Sequence, residues 1–289
     1  MSQARIGKLV VIGTGLIGGS FALDLKHAGL VGEVVGVGRS RGNLERALQL
    51  RVIDRAEQDA ARAVEGADLV LLATPVGQMD AVLAAIAPVL PRAAIVTDAG
   101  STKRDVAALY RRHLADTLDR CVPAHPIAGS DLSGAAAARY GLFDGRKVVL
   151  CPLAETAAAS RDTVAALWAA CGARLVELAP ERHDAVFAAV SHLPHLLAFA
   201  YMNSVLDRAD ADTCLALAAS GFRDFTRIAG SHPEMWRDIA LANRDGLLAD
   251  LRAFRTELDA LIGKLDACDG DALAERFARA SAVRAGWGK

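Results

Sequence analysis

The sequence is poor in the features that mark several classes of protein. Aromatic residues make up only 5% of the 289 residues, although hydrophobic residues make up 53%, so we expect a core built from Ala, Val, Leu and Ile. The 33 Lys and Arg residues nearly balance the 34 Asp and Glu residues. No basic excess therefore favours a nucleic acid or a membrane surface as a partner. We find no uninterrupted apolar stretch of the length that a bilayer span requires.

Cysteine is also scarce and shows no motif. The five cysteines are scattered along the chain and form no C-x-x-C pair, which is typical of reduced thiols in a cytosolic protein. The N-terminal segment lacks the layout of a secretory signal peptide, because its apolar run is short and breaks at Gly13. These features predict a cytoplasmic protein.

Two hydrophobic patterns divide the chain. In residues 1–178, short β-branched runs alternate with helical stretches, which predicts a Rossmann-type, doubly wound α/β sheet with parallel strands. In residues 179–289, apolar residues recur at spacings of three and four, which predicts an all-helical domain. Strands are predicted at residues 9–12, 33–37, 69–73, 95–98, 121–124, 147–151 and 174–178. Helices are predicted, among others, at residues 20–27, 43–50, 79–90, 103–114 and 160–170.

The helix that begins near Pro180 is apolar almost all round. A helix of this kind is buried against more than one neighbour, and a small helical domain has difficulty burying it alone. We therefore predict that the helical domain forms a homodimer. The alternative is a core helix of a monomer.

A glycine-rich turn follows the first predicted strand. Gly13, Gly15 and Gly18 have the G-x-G-x-x-G spacing, with Leu16 and Ile17 between them. The first glycine suits a tight turn, the second lets the backbone approach a pyrophosphate, and the third lets the helix pack on the strand. The free N–H groups of the helix N-terminus attract phosphate. The motif predicts a dinucleotide site, with an ordinary structural turn as the alternative.

The end of the second strand bears on the choice of nicotinamide cofactor. NAD enzymes usually carry an acidic residue there to bind the ribose hydroxyls. This chain instead has Gly38, Arg39, Ser40 and Arg41, and two guanidinium groups with a hydroxyl suit a 2′-phosphate. We predict NADP, with NAD as the alternative. A solvated loop with two surface arginines is the structural alternative.

Three further strand ends carry polar or stiff residues. Ligands bind at the carboxyl ends of strands in open α/β sheets. Thr74 and Pro75 follow the third predicted strand, Ser101 follows the fourth, and His125 closes the next one. Ser101 is also a candidate N-cap for the following helix. His125 can accept a proton near neutral pH.

These segments, together with motifs in the second half, resemble the prephenate/arogenate (cyclohexadienyl) dehydrogenase family of tyrosine biosynthesis. The resemblance covers nearly the whole chain, with the motifs in order. They are G-x-G-L-I-G-G-S (13–20), D-A-G-S-T-K (98–103), H-P-I-A-G-S-D-x-S-G (125–134), S-H-L-P-H (191–195), G-F-R-D-F-T-R-I-A (221–229) and S-x-P-x-M-W (231–236).

The resemblance implies an oxidative decarboxylation with hydride transfer from a cyclohexadienol. His125 matches the catalytic residue that accepts the hydroxyl proton, and Ser101 matches the serine that bonds the hydroxyl and orients the histidine. Arg227 matches the arginine that binds a substrate carboxylate, and we expect Asp224 to pair with it at i, i+3. Trp236 matches a tryptophan of the dimeric helical domain.

The resemblance also places His183, Ser191, His192 and His195 near the substrate. His192 and His195 have the spacing of a metal pair, but no third ligand is evident and the neighbouring residues are apolar, so we predict no metal. Pro194 removes one helical hydrogen bond and predicts a kink that aims these side chains at the cleft. A kinked packing helix with satisfied histidines is the alternative.

Asp131 departs from the family pattern, because many relatives carry Glu at this position. An acid there suits either a gate that pairs with Arg227 or a site for the ammonium group of arogenate. The two readings leave the choice between prephenate and arogenate open.

Two other functions are compatible with parts of the sequence. A 6-phosphogluconate-type β-hydroxyacid dehydrogenase shares a D-x-G-S-x-K segment but needs a Lys near an Asn in the helical half, where Lys264 is remote from Asn203 and Asn243. A non-catalytic, cofactor-bound regulatory protein has no need of Ser101, His125 and Arg227.

Overall fold

The computed structural model describes residues 5–129 and 132–287. It divides into two compact units, Met1–Asn243 and Arg244–Lys289. The first unit therefore extends well beyond residue 178. The reason is that helical residues such as Phe199, Trp236 and Ile239 pack in the same apolar cluster as the strand residues Val10 and Leu72.

A sheet of six parallel strands forms the centre of the first unit. Its order is β3-β2-β1-β4-β5-β6, which confirms the doubly wound Rossmann-type prediction. The order reverses between β1 and β4, and this is the switch point at which such folds bind ligands. The strands are β1 (Ile6–Ile12), β2 (Val31–Val37), β3 (Arg55–Glu57), β4 (Leu69–Leu72), β5 (Ile95–Asp98) and β6 (Cys121–Val122).

A separate sheet of three strands lies in the same unit. It contains β7 (Ala124–Pro126), β8 (Lys147–Leu150) and β9 (Arg174–Glu177), with β7 antiparallel to β8 and β8 parallel to β9. The single strand predicted at 121–124 is therefore wrong. The chain changes sheets at Pro123, which has no N–H to donate to a ladder. Strand β3 was not predicted, because its residues Arg-Ala-Glu carry no β-branched or aromatic side chain.

Six helices flank these strands: α1 (Leu16–His27), α2 (Arg41–Gln49), α3 (Ala60–Val64), α4 (Met79–Ile86), α5 (Arg104–His113) and α6 (Ala158–Ala170). Most begin and end within a few residues of the prediction. Helix α4 ends earlier than predicted, because Ala87 still has helical angles but Pro88 has no N–H to continue the hydrogen-bond ladder. Helix α1 begins four residues earlier, inside the glycine motif.

The second half is helical, as predicted. The first unit continues with α7 (Pro180–Phe187), a wide π turn (Ala188–His192), α8 (Leu193–Leu206), α9 (Ala211–Ala216), α10 (Ser220–Thr226) and α11 (Pro233–Ala242). The second unit contains α12 (Arg244–Asp266) and α13 (Gly270–Gly286).

The stretch Pro180–Leu206 is the one segment of the described residues that meets the criterion for a membrane span. Its 27 residues, with a mean hydropathy of 1.5 in the most apolar window, are long and apolar enough to cross a membrane. The π turn and Pro194 do not interrupt the helical path, so the segment is longer than the apolar run in the sequence. Core helices of soluble proteins meet the same criterion, and this helix also carries the buried residues His183, Asp184 and His192.

Candidate active site

A cleft of about 420 Å³ opens at the carboxyl ends of the parallel strands. Its wall contains seven of the predicted site residues: Gly15, Leu16, Ile17, Thr74, Pro75, Ser101 and His125. Helix α11 adds Met235 and Ile239 to the same wall. The first and second halves of the sequence therefore build one cleft, and most of its lining is apolar apart from a few hydroxyl and imidazole groups.

A second pocket, of about 360 Å³, continues from the cleft around the glycine turn. It is lined by the predicted cofactor residues Gly13, Gly15, Gly38, Arg39, Ser40, Thr74 and Pro75. Four polar residues that the sequence did not single out, Thr14, Asn43, Gln58 and Gln78, share this wall. The two pockets have Gly15, Ala73, Thr74 and Pro75 in common, so one extended ligand can occupy both.

The three glycines of the motif meet different physical demands. At Gly13, φ is +106°, and an added Cβ would lie 2.4 Å from the carbonyl oxygen of Ala73. At Gly18, an added Cβ would lie 2.3 Å from the carbonyl oxygen of Gly13. Nothing lies within 4 Å of the corresponding position at Gly15, which is the N-cap of α1 and receives no side-chain capping bond. The residues therefore fit a pyrophosphate at this helix N-terminus.

The two arginines after β2 lie in different places. Arg39 belongs to the wall of the second pocket. Arg41 starts helix α2, is exposed, and pairs with Glu45 at 3.1 Å. Ser40 is the N-cap of α2, and its hydroxyl accepts a 3.3 Å hydrogen bond from the backbone N–H of Asn43. Arg39 and Ser40 are thus placed to meet a ligand in this pocket, whereas Arg41 lines a neighbouring surface groove.

His125 belongs to a chain of three hydrogen-bonded side chains. Its Nδ1 lies 2.8 Å from Nε2 of His183, and Nδ1 of His183 lies 2.8 Å from Oδ1 of Asp184. His183 is fully buried, and its ring stacks on Phe187 at 4.4 Å. His183 therefore stands behind His125 and is not part of the cleft wall.

This chain determines where the protons lie. The Asp184 carboxylate only accepts hydrogen bonds, so Nδ1 of His183 must carry a proton. Nε2 of the neutral His183 is then an acceptor, and Nδ1 of His125 must donate to it. His125 is left with an unprotonated Nε2. This is the tautomer that a proton acceptor in the cleft requires.

The pKa values agree with this arrangement. Burial, followed by electrostatic interactions with His183 and Lys103, holds the pKa of His125 well below 6.5. Burial also lowers the pKa of His183, although its hydrogen bond to Asp184 opposes the shift. Burial alone would raise the pKa of Asp184, but hydrogen bonds from His183, Arg104 and Lys103 outweigh it and lower the value. Both imidazoles are therefore neutral, and the carboxylate is ionised, at neutral pH.

Asp184 also caps helix α5 from a distant part of the chain. Its two carboxylate oxygens accept the backbone N–H groups of Lys103 at 2.8 Å and Arg104 at 2.9 Å. The idea that Ser101 is the N-cap is therefore wrong, because the helix begins later and α7 supplies the capping oxygens. The Ser101 hydroxyl makes no hydrogen bond within residues 5–129 and 132–287, and it faces the cleft with His125.

A buried ion pair holds the turn that carries Ser101. The Lys103 ammonium and the Asp98 carboxylate are hydrogen-bonded and fully buried. Asp98 also accepts the backbone N–H groups of Gly100 at 2.7 Å and Ala124 at 3.1 Å. The pair therefore joins the end of β5 to the start of β7 and so sets the distance between Ser101 and His125.

A second group of rings extends from His192 to the outer helices. Nδ1 of His192 lies 3.1 Å from Nδ2 of Asn243, and burial lowers the pKa of His192 to about 4. The ring of His195 stacks on Trp236 at 3.6 Å. Trp236 is buried next to Met235 of the cleft wall and is not itself part of that wall.

Arg227 lies at the exposed end of this ring group. It begins a short 3-10 turn directly after α10, and its charge contributes, after burial, to a lowered pKa of His195. The predicted pair with Asp224 does not form in the part of the chain that the structure describes. The helix ends at Thr226, so the two residues do not share a regular helical face. Asp131 lies outside the described residues.

The wide turn at Ala188–His192 replaces the simple kink predicted at Pro194. A π turn leaves the helical hydrogen-bond ladder locally out of step, and the proline two residues later cannot donate to it. The backbone carbonyl of Ser191 is instead bonded to Nδ1 of His195 at 2.8 Å. Among residues 5–129 and 132–287, no group of three His, Cys, Asp or Glu side chains has a metal-binding arrangement.

Sequence reasoning gave no role to Asp184, Asn243, Lys103 and Asp98, although Asp98 and Lys103 belong to the D-A-G-S-T-K motif. Each of the four acts by supporting another residue. Asp184 directly follows His183 in the sequence, and this adjacency was the one available signal. Its caps on α5 depend on a contact between residues 80 positions apart, which no local pattern contains.

Comparison with known proteins identifies this architecture in both halves. Residues 21–177 match the sequence model of the prephenate dehydrogenase nucleotide-binding domain. Residues 179–279 match that of the prephenate dehydrogenase dimerization domain. The two matches together cover most of the chain.

Individual relatives agree with the domain matches. The chain is 36% identical to the cyclohexadienyl dehydrogenase of Zymomonas mobilis over 96% of its own length and 94% of the relative's. The structure of A. aeolicus prephenate dehydrogenase with hydroxyphenyl propionate and NAD+ superposes with a TM-score of 0.89 at 31% identity, covering 96% and 97% of the two chains. Synechocystis arogenate dehydrogenase gives a TM-score of 0.81 at 29% identity, with 97% and 99% covered.

Proposed function

The chain belongs to the prephenate dehydrogenase family, and on this premise we propose that it oxidatively decarboxylates a cyclohexadienol, prephenate or arogenate, with a nicotinamide cofactor. The observation that carries the proposal is the His125–His183–Asp184 chain beside Ser101. It supports a role for His125 as a proton acceptor of defined tautomer, in the cleft that adjoins the pocket around the glycine turn. The products are 4-hydroxyphenylpyruvate from prephenate, or tyrosine from arogenate, together with CO2.

The residues that hold the cofactor are those of the glycine turn and its surroundings. Gly13, Gly15 and the N-terminus of α1 suit the pyrophosphate, while Thr74 and Pro75 separate the adenosine pocket from the cleft. The side-chain oxygen of Thr74 is buried without a partner among the described residues, so it suits a polar group of the ligand. When bound, the nicotinamide supplies the hydride acceptor.

His125 removes the proton of the substrate hydroxyl through its unprotonated Nε2. The ring carbon that bears the hydroxyl loses its hydrogen as hydride, which leaves a ring carbonyl. The electron pair of the broken bond to CO2 then completes the aromatic ring, and the phenolate oxygen takes the proton back from His125. The new charge on His125 is stabilised because its Nδ1–H donates to His183, which in turn donates to the Asp184 carboxylate. His183 and Asp184 are thus positioning residues, and Ser101 orients the hydroxyl.

A carboxylate of the substrate requires a cation, and the substrate requires a pocket wall that excludes water. We assign Arg227 to a substrate carboxylate, supported by its position next to His195, which stacks on Trp236. His192 is bonded to Asn243, and the Ser191 carbonyl is bonded to Nδ1 of His195. These two bonds hold the start of α8 in position. Asp224 and Asp131 remain proposed as acidic residues of the outer site, with Asp131 suited to the ammonium group of arogenate.

A substrate-by-cofactor matrix tests the proposed function directly. Reduced nicotinamide absorbance is followed with prephenate, arogenate and 6-phosphogluconate, each with NAD+ and NADP+. We expect turnover with at least one cyclohexadienol and none with 6-phosphogluconate. The proposal is contradicted if only 6-phosphogluconate is turned over, or if none of the three substrates is turned over.

We propose NADP as the preferred cofactor, because no acidic residue follows β2 and Arg39 and Ser40 line the pocket. NAD is the second candidate, since the A. aeolicus relative was crystallised with NAD+. Arg39→Ala is expected to lower the NADP-to-NAD preference in kcat/KM by about tenfold, the effect of one charge-assisted hydrogen bond. Arg41→Ala is the matched control and should change the preference much less, because Arg41 pairs with Glu45 outside the pocket. Equal effects of the two variants would reject this assignment.

Arg227→Ala is expected to raise KM for the cyclohexadienol by about tenfold to a hundredfold, because one charged hydrogen bond to the substrate carboxylate is lost. The cofactor KM should not change. Steady-state kinetics with varied substrate measure the effect, and Arg223→Ala, an exposed arginine of α10, is the control. An unaltered substrate KM would remove Arg227 from the substrate site.

We propose that the chain acts as a cytoplasmic homodimer through its helical half, with residues 1–178 as the cofactor-binding domain and 179–289 as the helical domain. The match to a dimerization domain supports this. The first unit exposes Val190, Leu217, Phe225 and Leu241, and the second exposes apolar residues of α12 and α13. All five cysteines are free thiols. Sedimentation equilibrium tests the dimer.

A further inference from the structure

Asn43 contacts the walls of both pockets, although it lies in neither the glycine motif nor the catalytic segments. It is half-buried in the first turn of α2. Its Nδ2 donates to Oγ1 of Thr14 at 3.1 Å, and its Oδ1 accepts the backbone N–H of Ala135 at 2.7 Å. The amide nitrogen and the amide oxygen of Asn43 therefore bond two different segments, Thr14 and Ala135.

The donor end contacts the cofactor pocket. Thr14 lies between Gly13 and Gly15 of the phosphate turn and is buried, and both Thr14 and Asn43 line the pocket around that turn. The backbone N–H of Asn43 is separately bonded to the Ser40 hydroxyl. A nucleotide that binds here therefore contacts groups that hold the Asn43 side chain in position.

The acceptor end contacts a wall of the substrate cleft. Ala135 directly follows Gly134 and Ser133, which line the cleft with His125. Gly134 has a φ of +78°, and an added Cβ would lie 3.0 Å from Oδ1 of Asn43. The backbone thus approaches Asn43 at a position where only glycine combines this conformation with this closeness.

We propose that Asn43 couples the two pockets, so that a bound nucleotide strengthens the binding of the cyclohexadienol. An ordered Thr14 holds the Asn43 amide, and the amide holds the backbone of Ala135 at the cleft wall. Such coupling between sites is reciprocal, so the substrate strengthens nucleotide binding by the same factor. Asn43 is a positioning residue in this account, which rests on the proposed function only for the identity of the cleft ligand.

The test measures the dissociation constant of the preferred oxidised cofactor by calorimetry, with and without saturating hydroxyphenyl propionate. The ratio of the two constants is the coupling factor. We expect the unaltered protein to show a factor of at least about fivefold, the lower end for coupled sites. In Asn43→Ala the factor should fall towards one. The Ser40 bond to the backbone of residue 43 survives this change, and alanine favours a helix, so α2 should remain folded.

Two further variants make the result specific. Thr14→Val removes the Oγ1 acceptor of Nδ2 and leaves only the longer 3.5 Å bond to the Thr14 carbonyl. It should also reduce the coupling factor, which provides a second test if Asn43→Ala is unstable. Ser20→Ala is the control, because it removes a different support of the chain that follows Ala135. The Ser20 hydroxyl accepts a 3.0 Å hydrogen bond from the Arg139 N–H, and neither residue lines the nucleotide pocket. The coupling factor of this variant should equal that of the unaltered protein.

A coupling factor that is unchanged in both Asn43→Ala and Thr14→Val overturns the proposal, as does a factor of one in the unaltered protein. A factor that falls equally in Ser20→Ala overturns it too, because any weakening of the segment would then suffice. The proposed function fails separately, if the unaltered protein turns over neither prephenate nor arogenate.

Discussion

Replacing His125 by asparagine is expected to lower kcat by about 10²-fold to 10⁴-fold, the usual contribution of a general base. Asparagine keeps a polar side chain of similar reach, but its amide cannot accept a proton from the substrate hydroxyl. The dissociation constant of the cofactor should not change, because His125 lies in the cleft and not in the pocket around the glycine turn. Steady-state turnover and cofactor titration measure the two effects.

His113→Asn is the control for this prediction. His113 lies on α5 and bonds Asp80 at 2.7 Å on the surface, so its loss should leave kcat within about twofold, as is usual for surface substitutions. Unchanged turnover in His125→Asn would exclude His125 as the base. A collapse of cofactor affinity would instead indicate that the substitution disturbs the nucleotide pocket.

Asp184→Ala is expected to affect both catalysis and stability. The substitution removes the carboxylate that fixes the tautomer of His183 and thereby of His125, and we expect kcat to fall by about 10²-fold to 10⁴-fold, as in hydrolase triads that lose their aspartate. It also leaves the N–H groups of Lys103 and Arg104 without their acceptors. Each buried unsatisfied group costs about 1–3 kcal/mol, so the free energy of unfolding should fall by about 2–4 kcal/mol.

The two effects of Asp184→Ala are separated by measuring urea unfolding and, at a temperature where the variant is folded, kcat and KM. Substrate KM should change little, because Asp184 is buried behind the cleft. Asp105→Ala is the matched control, since Asp105 lies in the first turn of the same helix. It should cost at most about 1 kcal/mol and leave kcat unchanged. A fully active Asp184→Ala would show that His125 does not depend on this chain of hydrogen bonds.

Residues whose role is local were predictable. The G-x-G-x-x-G spacing depends on a turn, a close approach and a helix start that lie within six residues, and all three are present at Gly13, Gly15 and Gly18. Strand β5 has the predicted bounds. Its short apolar run ends at the polar residue Asp98, so the sequence itself marks where the buried strand ends. Arg41 was predicted beside Arg39 at the cofactor, and sequence alone does not show that it begins a helix and pairs with Glu45.

The support of His125 was not predictable in the same way. His183 was expected against the substrate, but the structure buries it between His125 and Asp184. The resemblance indicated that these residues lie near one another, without indicating their order. The change of sheet at Pro123 was not predictable either. One strand was predicted at residues 121–124, but the chain forms two strands that belong to two different sheets.

The sequence by itself determined the fold class and the glycine turn, since each of these is encoded in contiguous residues whose spacing matches a single turn, strand or helix, and it singled out His125 as the proposed proton acceptor. Only the tertiary structure decided which nitrogen of His125 is unprotonated, which carboxylate caps α5, and which side chain connects the two pockets. These properties depend on hydrogen bonds between residues that are 58, 80 and 92 positions apart. Such contacts arise only when strands and helices pack, because packing excludes water and so requires each buried polar group to find its partner within the protein.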